Sequence, residues 1–155
     1  MHRNCLLTLL AAATLTTTIT ATAQEKKISR DQLPAAVLAT IDRETSGATI
    51  KGYATEREHG KLFYEVETVI NGHTRDLQIA PDGTLTEVEE EVVLESLNGE
   101  VRTGLLAKAN GARIVKVESL TKQGRLVAYE AAVVKNGHHG EVQVGPSGKP
   151  LTREE

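Results

Sequence analysis

One pattern occurs twice in this chain, and that limits its folds more than any other feature. Moving residues 28–62 by 64 places sets Leu33, Val37 and Ile41 on Leu97, Val101 and Leu105, and takes Gly47 to Gly111, Ile50 to Ile114 and Gly60 to Gly124. After one inserted residue near Val127, the shift becomes 65. Tyr64-Glu65 then falls on Tyr129-Glu130, Asn71-Gly72-His73 on Asn136-Gly137-His138, and Pro81-Asp82-Gly83 on Pro146-Ser147-Gly148. Eight of the 13 glycines stand in four matched pairs. Glycine serves where the backbone needs positive φ, so their coincidence implies shared turns rather than shared composition.

Each half reads locally as a helix followed by strands. Leu33, Val37, Leu38 and Ile41 follow the spacing of one helical face, and Leu97, Val101, Leu105 and Leu106 repeat it. Pro34 suits a first helical turn, while Gly47 and Gly111 suit the position after the last turn. Helices of about twelve to fourteen residues do not persist alone, so these stripes must lie against something apolar. The segment 48–56 reads as a strand, and Leu62, Tyr64, Val66, Thr68 and Ile70 then alternate with Phe63, Glu65, Glu67 and Val69, the period of a half-buried strand. Asn71-Gly72 signals a hairpin, Leu77 and Ile79 continue on the return strand, and Leu85 and Val88 follow a second turn. The expected fold class is therefore α+β: two tandem helix-then-antiparallel-meander units, α-β-β-β-β twice, with the helices on one face of antiparallel sheet. The units would span 24–91 and 92–155, the last strand drawing on Lys149 to Glu155.

Residues 1–23 read as a secretory signal peptide. Arg3 supplies the positive start, Cys5 to Ala13 is almost wholly apolar, and Ala21-Thr22-Ala23 is the small-x-small cleavage pattern. Thr16, Thr17, Thr18 and Thr20 make the stretch too polar for a lasting membrane span, so no span is expected after cleavage. Cleavage after Ala23 removes Arg3 and no acidic residue, so a net charge of -3 becomes -4, and it leaves no cysteine or methionine. The expected location is secreted or periplasmic, with a fold that holds without disulfides. An acidic balance and a pI near 6.0 argue against nucleic-acid partners, which require a basic excess.

The order of features resembles the PepSY domain, in the tandem arrangement of PepSY-like, β-lactamase-inhibitor-like secreted proteins. The resemblance rests on Leu33-Pro34-Ala35-Ala36-Val37, Gly47, Gly60-Lys61, Tyr64-Glu65-Val66-Glu67 and Asp82-Gly83 before Leu85. The second half departs from it at Asn98, Ser147 and Ala131-Ala132. What the resemblance implies is a non-catalytic module that inhibits or regulates a peptidase or another envelope enzyme, with the open sheet face contacting the partner.

No catalytic set is legible: the serines occupy predicted caps, turns or strand ends, and no G-x-S-x-G motif occurs. No cofactor is expected. Phe63 is the first candidate for contacting a protein or peptide partner, because it falls on the open face with Glu65 and Glu67, and Tyr53 is the second. The alternative reading is an envelope cation or small-ligand binder using His138, His139 and the run Glu87, Glu89, Glu90 and Glu91. Adjacent histidines on a strand point to opposite faces, which disfavours shared chelation, and such a glutamate run reads more simply as a solvated connection into the second helix.

Overall fold

The computed structural model describes residues 25–153 and 155; the signal-peptide expectation lies outside them. Eight strands form one antiparallel sheet in chain order: β1 (Lys26–Ile28), β2 (Thr49–Glu58), β3 (Lys61–Ile70), β4 (His73–Ile79), β5 (Leu85–Glu91), β6 (Arg113–Lys122), β7 (Arg125–Lys135) and β8 (His138–Val144). Helix α1 (Ala35–Glu44) lies between β1 and β2, and α2 (Gly99–Ala109) between β5 and β6.

This corrects the expected pair of α-β-β-β-β units. A strand precedes α1, only three strands follow α2, and β5 pairs with β4 on one side and β6 on the other. The sheet is therefore continuous where the units were expected to part. No strand forms over 149–155 among the described residues. Gly148 turns the chain back onto α2, and Pro150 has no N–H to give a ladder.

Each helix lays its stripe on the same face. Val37 and Ile41 of α1, joined by Leu33 from the extended backbone just before the helix, pack with Val66, Leu77 and Ile79, and Val101 and Leu105 pack with Val117, Ala131 and Val144. Leu106, expected in the second stripe, instead points to solvent at 53% exposure. The helix ends are secured by different means. Thr45 closes α1 by donating its hydroxyl to the Ile41 carbonyl at 2.8 Å. Asn98 caps α2 by accepting from the Val101 N–H at 2.9 Å, the role that its side chain can fill and a proline's cannot.

The hairpin turns His59-Gly60, Asn71-Gly72, Gln123-Gly124 and Asn136-Gly137 all place both residues at positive φ, as a two-residue type I′ connection requires. The Pro81-Asp82-Gly83 turn folds onto α1, where the buried Thr40 hydroxyl donates to the Gly83 carbonyl at 2.6 Å. Thr40→Val keeps the volume and leaves that carbonyl without its donor. Urea unfolding should show a loss of about 1–2 kcal/mol; an unchanged midpoint would mean that water replaces the hydroxyl. No helix among the described residues is long and apolar enough to cross a membrane.

Candidate functional site

With the helices on one face, strand alternation decides what the other carries. Val66 lies opposite Tyr53 and Leu77 beneath α1, so its neighbours Glu65 and Glu67 face away from the helices. The same phase sends Glu56 and Glu58 of β2, Asp76 of β4, Glu87 and Glu89 of β5, Glu118 of β6 and Glu130 of β7 to this open face. Lys116 and Lys122 of β6 are set among them. Lys116 lies 2.7 Å from Glu118 and Lys122 lies 3.4 Å from Glu87.

Two hollows open there. One of about 240 Å³ is lined by Glu25, Glu56, Glu58, Glu65, Asp76, Gln78, Glu87 and Glu89. A neighbouring one of about 390 Å³ adds Glu118, Lys122, Glu130, Glu141 and Gln143. Buried apolar residues floor the sheet face between these carboxylates: Ala54 lies opposite Glu65, Leu120 opposite Glu89, and Ala128 opposite Leu120. Carboxylates beside such a floor lose hydration without gaining equal numbers of cations.

The consequence is a set of carboxyls that hold their protons unusually well. Burial, reinforced by Glu25, Glu56, Asp76 and Glu67, pushes Glu65 up to about 7. Burial, with Glu118, Glu87, Glu130 and Asp76, pushes Glu89 up to about 8. Burial also raises Glu56, Asp76 and Glu87, although Asp76 accepts the Thr68 N–H at 3.1 Å and Glu87 has Lys122 beside it. Among the described residues, those lining the hollow around Glu65 include no hydroxyl, thiol, imidazole or amine, while His59 and Lys122 line the neighbouring one. Chemically, the face offers a field of negative potential whose strength changes near neutral pH.

The expected site residues separate. Glu65 and Glu67 stand on this face, Glu67 between Gly52 and Asp76. Phe63 shares it, opposite Glu56, but lies beyond the end of the β3–β4 pairing and lines neither hollow. Tyr53, expected on the same face, packs instead into the core beneath α1. A bulge at Lys51 breaks the alternation of β2, so Ile50 and Tyr53 both face the helices. His138 and His139 are exposed on β8, and among the described residues no group of three or more His, Cys, Asp or Glu side chains is arranged to hold a metal ion.

The glutamate run is not the solvated connection expected of it. It forms β5 in the middle of the sheet, with Glu87 and Glu89 half-buried on the open face and Glu90 exposed on the other. A larger hollow, about 740 Å³, lies outside α2 and the 145–149 turn. It is lined mainly by small and backbone groups around Gly99, Gly104 and Ala107, and brings together no comparable set of titratable groups.

The molecule thus belongs to the α+β folds in which two helices back a single antiparallel sheet and leave one face uncovered. Solved structures with this fold are a candidate periplasmic protein of Bacteroides eggerthii (TM-score 0.63, 16% identity, 79% of this chain and 88% of that one), a DUF2874 family protein of Bacteroides ovatus (0.62, 17%, 79% and 86%) and a BLIP-like protein of Bacteroides fragilis (0.57, 16%, 78% and 85%). At these identities the likeness is one of fold. No family model matches the chain, and no curated protein does.

Proposed function

We propose that this chain is a secreted or periplasmic, non-catalytic binding protein whose open sheet face holds a basic protein or peptide. The observation that carries the reading is the concentration of half-buried carboxylates across β2 to β7, which outnumber the lysines of the same face, Lys27, Lys61, Lys116 and Lys122. A partner's lysines and arginines would supply the missing counter-charge and draw protons off Glu65 and Glu89. The fold shared with a BLIP-like protein supports an uncovered sheet face as the docking surface. The resemblance to PepSY-like proteins favours an envelope or extracellular peptidase, or another enzyme, as the partner regulated. The signal-like residues 1–23 and the periplasmic description of one fold neighbour favour the location.

Binding of a fluorescent lysine-rich peptide tests the face. Changing Glu65, Glu67, Asp76 and Glu89 together to their amides should weaken binding at least about 10-fold at low salt, and raised salt should weaken the wild type similarly. The control removes four carboxylates of the helix layer, Asp42, Glu44, Glu95 and Glu100, and both variants are measured at about pH 9, where Glu65 and Glu89 are ionised and the change in net charge is the same. Equal losses from the two variants would overturn the open face as the site. In pull-downs from an envelope extract, Phe63→Ala should reduce recovery of the same partners less than the four amides do, because Phe63 lies outside the hollows.

A further inference from the structure

A sheet with strands in chain order has two outer edges, and here they differ. At one, β1 covers only residues 53–55 of β2 and carries Lys26 and Lys27. Shortness and edge lysines are devices that deter strand addition. At the other, β8 is seven residues long and pairs with β7 in unbroken register from His138↔Lys135 to Val144↔Tyr129. It contains no lysine, proline or bulge, and among the described residues no strand pairs with its outer side. The end of β8 is shielded: Gln143 and Val144 are buried, and the Glu155 N–H donates to the Gln143 side chain at 2.9 Å. His138 to Glu141 are exposed and Val142 partly so.

We propose that residues 138–142 pair with the same stretch of a second copy, antiparallel about a two-fold axis at Gly140, joining two eight-stranded sheets edge to edge. The argument is one of charge and register. Opposed residues in an antiparallel pair share a face, so an axis through one residue keeps both helix layers on the same side. Three centres use the exposed stretch. An axis at Glu141 sets that carboxylate against its own copy and requires the shielded Gln143, while an axis at His139 sets imidazole against imidazole. An axis at Gly140 sets His139 opposite the second copy's Glu141, and Glu141 opposite its His139, so two opposite-charge or N–H-to-carboxylate pairs form at once. It also puts the residue without a side chain where the two backbones meet, a recognised use of glycine inside a strand.

The test uses the chain starting at Gln24, which carries every described element and contains no cysteine. Gly140→Cys should oxidise to a disulfide-linked dimer about 10-fold faster than Thr103→Cys, on the exposed side of α2, at the same protein concentration. Adding Glu141→Lys should bring the rate down to that of Thr103→Cys, and the further change His139→Glu should restore it. Sedimentation of the unmodified chain should show a rising average mass up to about 1 mM. Linking at 140 no faster than at 103 would overturn the pairing, and a rate indifferent to Glu141→Lys would overturn this register.

Discussion

Gly148→Ala is expected to lower the melting temperature by about 12 °C, equivalent to about 4 kcal/mol in a domain of this size. Gly148 sits at φ 76°, and a Cβ there would lie 2.2 Å from the Glu100 carbonyl oxygen and 2.7 Å from the Val101 nitrogen. The contact is reciprocal, since a Cβ on Gly104 would meet the Gly148 carbonyl oxygen at 2.1 Å. Backbone lies on both sides of the contact, so no rotamer change relieves it and the 145–149 turn must lift from α2. Gly124→Ala isolates the other contribution: its φ is 75°, but nothing lies within 4 Å of the added carbon. That variant should lose only the left-handed backbone cost, about 1–2 kcal/mol. Equal losses in thermal melts of the two variants would show that the turn does not rest on the helix.

Stability should also fall as pH rises through neutrality, opposite to the behaviour of a protein stabilised by salt-bridged carboxylates. Folding lifts Glu65 to about 7 and Glu89 to about 8 from an ordinary 4.5, so between these limits the folded chain binds more protons than the unfolded one. The stabilisation is fully present below about pH 4.5 and is lost as pH climbs through the folded values. Both groups are partly open to solvent, which softens the effect, and together they should contribute on the order of 3 kcal/mol. Urea midpoints measured between about pH 5 and about pH 9 should decline. Glu65→Gln with Glu89→Gln should flatten the profile and leave the variant more stable than wild type at the alkaline end. A wild-type profile already flat across this range would contradict the desolvation of these two side chains.

What the sequence disclosed, and what it concealed, follows from the range of the interactions. The Asn71-Gly72 and Asn136-Gly137 turns were legible because positive φ at two adjacent residues is a local demand. The Val37-Ile41 part of the first stripe was legible because helical spacing is local too, whereas Leu33 reaches the same core from extended backbone before α1 begins. Leu106 was misread because it adjoins Leu105, and only packing decides which of two adjacent leucines a short helix turns inward. The continuous sheet depends on β5 meeting β6 across the whole of α2, a pairing such as Glu87↔Lys122 that no local pattern announces.

Much of the acidic face was within reach. Glu65 and Glu67 flank Val66, Glu87 and Glu89 flank Val88, Glu118 follows Val117, and Glu130 precedes Ala131. Following that parity from strand to strand would have assembled the carboxylates, whereas counting charge along residues 87–91 made them look like a solvated connector. Tyr53 was misplaced by simple parity because the bulge at Lys51 inverts it, and the one local sign of that bulge is Gly52 inside the strand.

The strand order from β1 to β8 also bears on how the chain acquires its structure. Every strand pairs with its immediate successor, so no strand must wait for a distant segment before it can join the ladder. Only the β1–β2 and β5–β6 pairings close over a helix, and all the others close over a tight turn. Loop-closure entropy is therefore small at the five turn-closed pairings and is concentrated at the two that span a helix. A polypeptide emerging N-terminus first from a narrow exit could add each strand as it appears, leaving little apolar sheet exposed at any moment.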